Sequence, residues 1–135
     1  MVASGEGVPL GIQLASASLA EVKLLEATLD DVQVPEAPWI MPDYVVVDRA
    51  YDADWLRDAL EDRGMESACP HRRSRRRPAR QDGRTLRRYK RRWIVERTFP
   101  WLGNFRRQLV RHERKINTFR ALVHVACILI TLRQF

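Results

Sequence analysis

Residues 71–84 read HRRSRRRPARQDGR, seven arginines and a histidine against one acid, with a proline in the middle. The stretch is too charged and too broken to pack into a core, so it reads as a mobile basic arm or loop. Whatever packs must therefore be built from the sequence on either side of it, and the two sides differ.

The difference is clearest in charge. Residues 1–65 carry 4 basic and 13 acidic side chains, a net of −9, whereas residues 66–135 carry 20 basic and 4 acidic ones, a net of +16. Within 71–92 there are 12 basic residues and one acid, Asp82. Such a division points to a polyanionic partner, with nucleic acid first among them; the plainer reading is a solvated arginine-rich loop. The 135 residues suffice for one domain with a real core. The opening MVASGEGVPLG lacks the charged start and apolar run of a signal peptide. ALVHVACILITL, the longest apolar run, is too short to span a bilayer. Cys69 and Cys127 stand far apart, without zinc or disulfide spacing. The expectation is a reduced, cytoplasmic protein with no membrane partner.

Before the basic segment the pattern alternates. GVPLGIQLAS reads as a strand, and SLAEVKLLEATLDDV as an amphipathic helix with Leu19, Val22, Leu25, Leu29 and Val32 near a 3.6-residue period. PEAPWIMP, with three prolines in eight residues, is a loop. Val45-Val46-Val47 is a short strand of the kind buried on both faces of a parallel or mixed sheet. DADWLRDALEDRG follows as a helix with start acids at Asp52 and Asp54 and a stop at Gly64, and MESACP as a further strand.

After the basic segment the chain turns helical. One helix is expected from about Thr85 through Arg97, with Trp93, Val95 and Phe99 anchoring it and Pro100 ending or kinking it. NTFRALVHVACILITLR closes the chain as a mostly buried helix capped by Asn117 or Thr118, with His124 as a core residue. Trp93 and Trp101 read more readily as core than as base-stacking residues. The order β-α-β-α-β, basic loop, α, α implies an α/β fold.

Two acids carry the chemical reading. Asp48 ends the valine strand, and ligands of open α/β sheets bind at that edge; the plainer alternative is a cap for the following helix. Glu96 is the lone acid in RRYKRRWIVERTFPW, and a helix puts Tyr89, Arg92 and Glu96 on one face; the alternative is an ordinary Glu96–Arg92 pair. Together the two acids suit a hard divalent ion, Mg²⁺ or Mn²⁺, which takes carboxylate and phosphate oxygens. A phosphodiester must be drawn to such acids by surrounding positive charge.

These segments resemble the DDE-class transposases of bacterial insertion sequences, in the broad group that includes insertion sequences four and five. DRAYD matches the family's D-(R/K)-(G/A)-Y-D segment, and Tyr89, Arg92 and Glu96 match its Y-(2)-R-(3)-E signature. The resemblance covers nearly the whole chain. It implies a ribonuclease-H-like mixed sheet flanked by helices, incomplete here, with a basic loop at 71–84 and C-terminal helices. Asp48 and Glu96 become the second and third catalytic, metal-binding acids. Tyr89 and Arg92 become residues that position the DNA backbone near the scissile phosphate, the plainer alternative being a packed tyrosine and a surface arginine. Arg88 and Arg91 join them in the expected DNA-binding set, with Arg72, Arg73, Arg75, Arg76 and Arg77 contacting phosphates without reading sequence. It further implies DNA transposition and recombination as the activity, DNA as partner, a possible homodimer and a nucleoid-associated setting.

Three features depart from the family pattern. Ser4 stands where the first aspartate is expected, three residues before Gly7, with Glu6 nearby. Gly103 replaces the basic residue often found seven positions after the glutamate. The chain also opens at the first strand, so the region recognising element ends is expected to be missing. The expectations are therefore a transposase catalytic domain with impaired strand cleavage and transfer, a stand-alone metal-dependent nuclease, or a non-catalytic DNA-binding remnant. No GxSxG, GxxxxGK[ST] or HExxH pattern occurs, and His71, His112 and His124 lack metal-ligand spacing.

Overall fold

In a computed structural model that describes residues 1–32 and 42–134, the chain divides into two units. Met1–Ala17, Glu26–Gln33 and Trp93–Phe135 make the first, and Ser18–Leu25 with Val34–Arg92 the second. The proline-rich loop expected over 35–42 lies, except for Pro42, outside the described residues.

The first unit begins with a hairpin. Strands β1 (Val2–Ala3) and β2 (Pro9–Gly11) pair antiparallel, far shorter than the strand expected over 7–16. Between them the Ser4 N–H donates to the Val8 carbonyl at 2.8 Å. Gly7, at φ +92°, occupies the left-handed region that disfavours side chains. At Gly11 a Cβ would lie 2.6 Å from the Thr28 carbonyl, so only glycine lets helix α1 (Leu25–Asp30) approach. The helix expected over 18–32 is thus split: Glu21–Leu24 is a 3₁₀ turn and α1 follows it.

Helix α4 (Trp93–Gly103) runs through Pro100, so of the two outcomes expected there, an end or a kink, the end does not occur. Proline removes one amide donor. Ile94, Thr98 and Leu102, spaced by four, stay buried along one face and hold the helix together against that loss. Trp93 and Phe99, expected as anchors, are instead 53% exposed. A short α5 (Arg106–Leu109) leads to α6 (Ile116–Leu132). Leu102, Ala126 and Ile130 form a core cluster against Met1, Ile12, Trp101, Phe105 and Cys127. The expectation of a mostly buried final helix fails: Val123, Ala126 and Ile130 face inward, while Val125, Ile128, Leu129 and Leu132 are exposed. Spacings of three and four bury one stripe only, and His124 falls outside it, exposed rather than in the core. Lys115 is the N-cap, without a side-chain bond, so Asn117 and Thr118 lie inside the helix. No helix among the described residues is long and apolar enough to cross a membrane.

The second unit is a strand–helix–strand motif. Strands β3 (Tyr44–Val46) and β4 (Glu66–Ala68) pair in parallel, in register Tyr44↔Glu66 to Val46↔Ala68. Helix α2 (Asp54–Asp62) crosses between them, burying Leu56 and Leu60, and ends before Gly64 at φ +76°. Tyr44 to Val46 are only half-buried, short of the two-faced burial expected, because β3 and β4 form a sheet of two strands. Asp82 caps α3 (Gly83–Arg88), accepting from the Arg84 and Thr85 amides. A 3₁₀ turn over Tyr89–Arg92 then separates α3 from α4, where one continuous helix was expected. The architecture is mixed α/β, with two separate two-stranded sheets among the described residues.

Candidate functional site

Asp48 follows β3, whose ladder is extended by Val47 N–H donating to Ala68 O at 3.2 Å. It caps the 3₁₀ turn Arg49–Tyr51: Oδ1 accepts from the Ala50 N–H at 2.5 Å. The Cys69 thiol donates to the Asp48 carbonyl at 3.1 Å. Burial, partly offset by the Arg57 charge, pushes that thiol up to about 11, so it remains a protonated donor. Burial, with the Glu21 and Asp48 charges, likewise raises Tyr51 to about 12. The other Asp48 oxygen has no hydrogen-bond partner among the described residues.

Four residues on, Asp52 is a buried hub. Oδ1 pairs with Arg57 at 2.8 Å, His71 Nδ1 at 3.0 Å and Arg75 at 3.4 Å, while Oδ2 accepts from the Arg72 backbone N–H at 2.7 Å. Burial pushes the Asp52 carboxyl up, but the Arg72 amide, the His71 bond and the Arg57 charge outweigh it and hold the group below its ordinary value. His71 Nε2 accepts from the Arg80 N–H at 3.1 Å. Arg72 then reaches back: Nε donates to Arg49 O at 2.9 Å, and a terminal nitrogen donates to Ala50 O.

The basic segment is therefore tethered rather than mobile. Asp54, Asp58 and Glu61 stand at i, i+4 and i+7 on α2, one helix face. Arg75 and Arg77 each bond Asp54 at 2.8 Å, and Arg80 bonds Asp58 at 2.6 Å and Glu61 at 3.3 Å. The hydrogen bonds from Arg77 and Arg75 lower Asp54 to about 2. Gln81 closes the open edge of β4, accepting from Cys69 N at 3.1 Å and donating to Ser67 Oγ at 3.2 Å.

In the first unit, Ser4 lies in the β1–β2 turn. Its hydroxyl donates to Glu6 Oε2 at 3.1 Å and accepts from the Glu6 and Val8 amides at 3.2 Å each. The turn is held on α4 by Arg97 donating to Glu6 O at 3.0 Å and Thr98 Oγ1 donating to Gly7 O at 3.1 Å. Glu96, the residue before Arg97, is exposed on the same helix. The Arg97 guanidinium stacks on Trp93 and Trp101, 4.9 Å from each ring centre. Trp93 is thus a stacking surface rather than core.

Asp48 and Glu96 fall in different units. Tyr89 and Arg92 meet on the 3₁₀ turn, the guanidinium 5.3 Å from the ring centre; Arg91 neighbours them there. Arg88 pairs with Glu66 at 2.7 Å and lies over the Tyr44 ring. Of the arginines expected to contact phosphate, Arg72, Arg75 and Arg77 are engaged internally, while Arg73 and Arg76 are exposed with no hydrogen bond or ion pair among the described residues. The structural roles of Asp52, Asp58, Glu61 and His71 escaped the sequence reading. The four- and three-residue spacing of Asp54, Asp58 and Glu61 is the signal that would have exposed the ladder.

Among the described residues no three His, Cys, Asp or Glu side chains gather as a metal cage. Magnesium asks less of a protein, commonly one or two carboxylates with waters and phosphates completing the shell. The Asp48 oxygen without a partner among the described residues, just past the end of a strand, fits that demand.

The strand-end carboxylate of Asp48 and the arginine-rich segment both belong to the second unit. The chain belongs to the Transposase DDE domain family, whose sequence profile matches residues 1–131. It is similar to a Burkholderia cepacia protein provisionally named as the transposase for insertion sequence element IS402, with 35% identity over 141 aligned positions, covering 99% of this chain and 63% of that protein. The chain thus spans less than two thirds of that relative's length. No solved structure matches it.

Proposed function

We propose that this chain is catalytic-domain sequence of an insertion-sequence transposase, of ribonuclease-H-like kind, which holds DNA by its backbone through exposed arginines. Asp48 and Glu96 are the residues that would hold Mg²⁺ or Mn²⁺. When bound, such ions stabilise the attacking and leaving oxygens of phosphoryl transfer. In the reaction of the intact family, water hydrolyses a phosphodiester at the element end and frees a 3′-hydroxyl. That hydroxyl then attacks a target phosphodiester and displaces the target's own 3′-oxygen. What supports this reading is the family match over residues 1–131 combined with an Asp48 whose backbone is pinned and whose second oxygen has no partner among the described residues.

A second reading has its own observation. The Ser4 hydroxyl, at the position where the resemblance expects the first acid, is spent on the turn, touching two amides and Glu6. With that carboxylate replaced, the chain would bind DNA and cleave it poorly or not at all.

The test is a labelled duplex carrying an element end, incubated with the protein and Mg²⁺ or Mn²⁺. Joined product supports the transposase, nicking alone a nuclease, and a gel shift without either the binding remnant. No shift at low salt would sink all three.

A further inference from the structure

Arg72 sits in the most basic stretch of the chain and is exposed, yet its amide, its Nε and one terminal nitrogen all bond within the protein. Its amide donates to Asp52 Oδ2 at 2.7 Å. Its guanidinium donates through Nε to Arg49 O at 2.9 Å and through a terminal nitrogen to Ala50 O. These two carbonyls belong to the turn whose Ala50 amide fixes the Asp48 carboxylate. Asp52, which accepts from the Arg72 amide, is itself held by Arg57, His71 and Arg75.

We infer that Arg72 is a positioning residue for Asp48: its planar fork grips the Arg49–Tyr51 turn and thereby aims the carboxylate, and it is not a phosphate contact. The inference rests on Asp48 being a metal ligand. Guanidinium is suited to the task because its donors diverge in a fixed plane and can serve two carbonyls at once. A lysine keeps the charge but presents a single ammonium on a flexible stem. Charge and geometry can therefore be separated at this position. Two neighbours in sequence, Arg73 and Arg76, serve as the contrast, since neither has an internal partner among the described residues.

The experiment compares the full chain with Arg72→Lys, Arg73→Lys and Asp48→Asn. Amide hydrogen exchange at Ala50 reads the turn, paramagnetic broadening of the Arg49–Tyr51 amides by Mn²⁺ reads the metal site, and duplex DNA binding reads the charge. Arg72→Lys is expected to bind DNA like the unaltered chain. Its Ala50 amide should exchange roughly tenfold faster, and its Mn²⁺ broadening should need roughly tenfold more metal, the usual cost of losing a group that orients a ligand. Arg73→Lys should match the unaltered chain in all three readouts. Asp48→Asn, whose amide oxygen can still accept from Ala50, should lose the broadening but keep the protection. If Arg72→Lys leaves both exchange and broadening unchanged, or weakens DNA binding instead, the positioning role is overturned while Asp48 stands. If the unaltered chain shows no broadening at these amides, the metal reading of Asp48 fails and takes this role for Arg72 with it.

Discussion

Asp52 and Arg57 form an ion pair of 2.8 Å in which each side chain is only 2% exposed. Two charges so far from water are tolerable only as a satisfied set. Asp52 is well provided for, with His71, Arg75 and the Arg72 amide as further partners. Arg57 is less so: beyond Asp52 it reaches the Cys69 carbonyl at 3.0 Å, while its Nε and second terminal nitrogen are unbonded among the described residues. Asp52→Ala would strand the guanidinium in the core. It should destabilise the protein by roughly 3–5 kcal/mol, the cost of breaking a buried pair from one side, measured by urea unfolding. A loss below about 1 kcal/mol, the scale of a surface pair, would show that the pair is solvated in solution.

The same acids set an acid limit on stability. Asp54 falls from 3.8 to about 2 in the folded chain, and Asp52 is also lowered. Depressed carboxyls bind fewer protons folded than unfolded, so their contribution is complete above about pH 4 and is lost as the pH drops through the folded values. Stability measured from pH 5 to pH 2 should therefore fall steeply at the low end. Asp54→Asn should make that fall shallower and lower the plateau at pH 7 modestly, since Arg77 is 76% exposed and its pairing is screened by water. An unchanged acid slope in this variant would remove Asp54 from the account.

These acids also show where the sequence was legible. The strand–helix–strand order around Val45, the Gly64 stop and the parallel pairing follow from local pattern and appear as expected. The fate of the arginines did not. Their content forbids a hydrophobic core, but it does not forbid docking on an acidic helix face, and that depends on Asp54, Asp58 and Glu61 lying up to 23 residues away. Whether Pro100 would end α4 or leave it continuous was open for a similar reason: burial of Ile94, Thr98 and Leu102 is a tertiary effect that local propensity omits. Of the candidate site, the strand-end position of Asp48 was readable from its valine run. The grip of Arg72 on the following turn was not, because nothing local marks a guanidinium that folds back onto backbone carbonyls.

Ser4→Asp tests the altered first position without disturbing the fold. Serine and aspartate both accept well from amides at the start of a turn, so one Asp oxygen can take the Glu6 and Val8 bonds now made by the hydroxyl. The melting temperature should change by only a few degrees, roughly 1 kcal/mol or less. The new carboxylate meets Glu6, whose Oε2 now receives the Ser4 hydroxyl, and this crowding should be relieved by divalent metal. Thermal stabilisation by Mn²⁺ is therefore expected to be larger in Ser4→Asp than in the unaltered chain. Equal metal response in both would separate this position from any metal site.

The arginines themselves can be sorted by salt. Each phosphate contact released adds close to one unit to the slope of log affinity against log salt, about 0.9 for duplex DNA. Arg73 and Arg76 are exposed and have no internal partner among the described residues, whereas Arg75 is held by Asp54 at 2.8 Å and is 11% exposed. The double change Arg73→Ala with Arg76→Ala should lower the slope by about two and leave the unfolding midpoint in place. Arg75→Ala should do the reverse, shifting the midpoint through loss of its Asp52 and Asp54 bonds while the slope stays nearly constant. Fluorescence anisotropy on a labelled duplex between about 50 and 200 mM salt, the range over which such contacts weaken binding strongly, measures the first quantity, and urea unfolding the second. If Arg75→Ala lowers the slope by about one, half the effect of the double change, the acidic face of α2 gives up its arginines when DNA arrives, and these ion pairs are a store of phosphate contacts rather than a fixed brace.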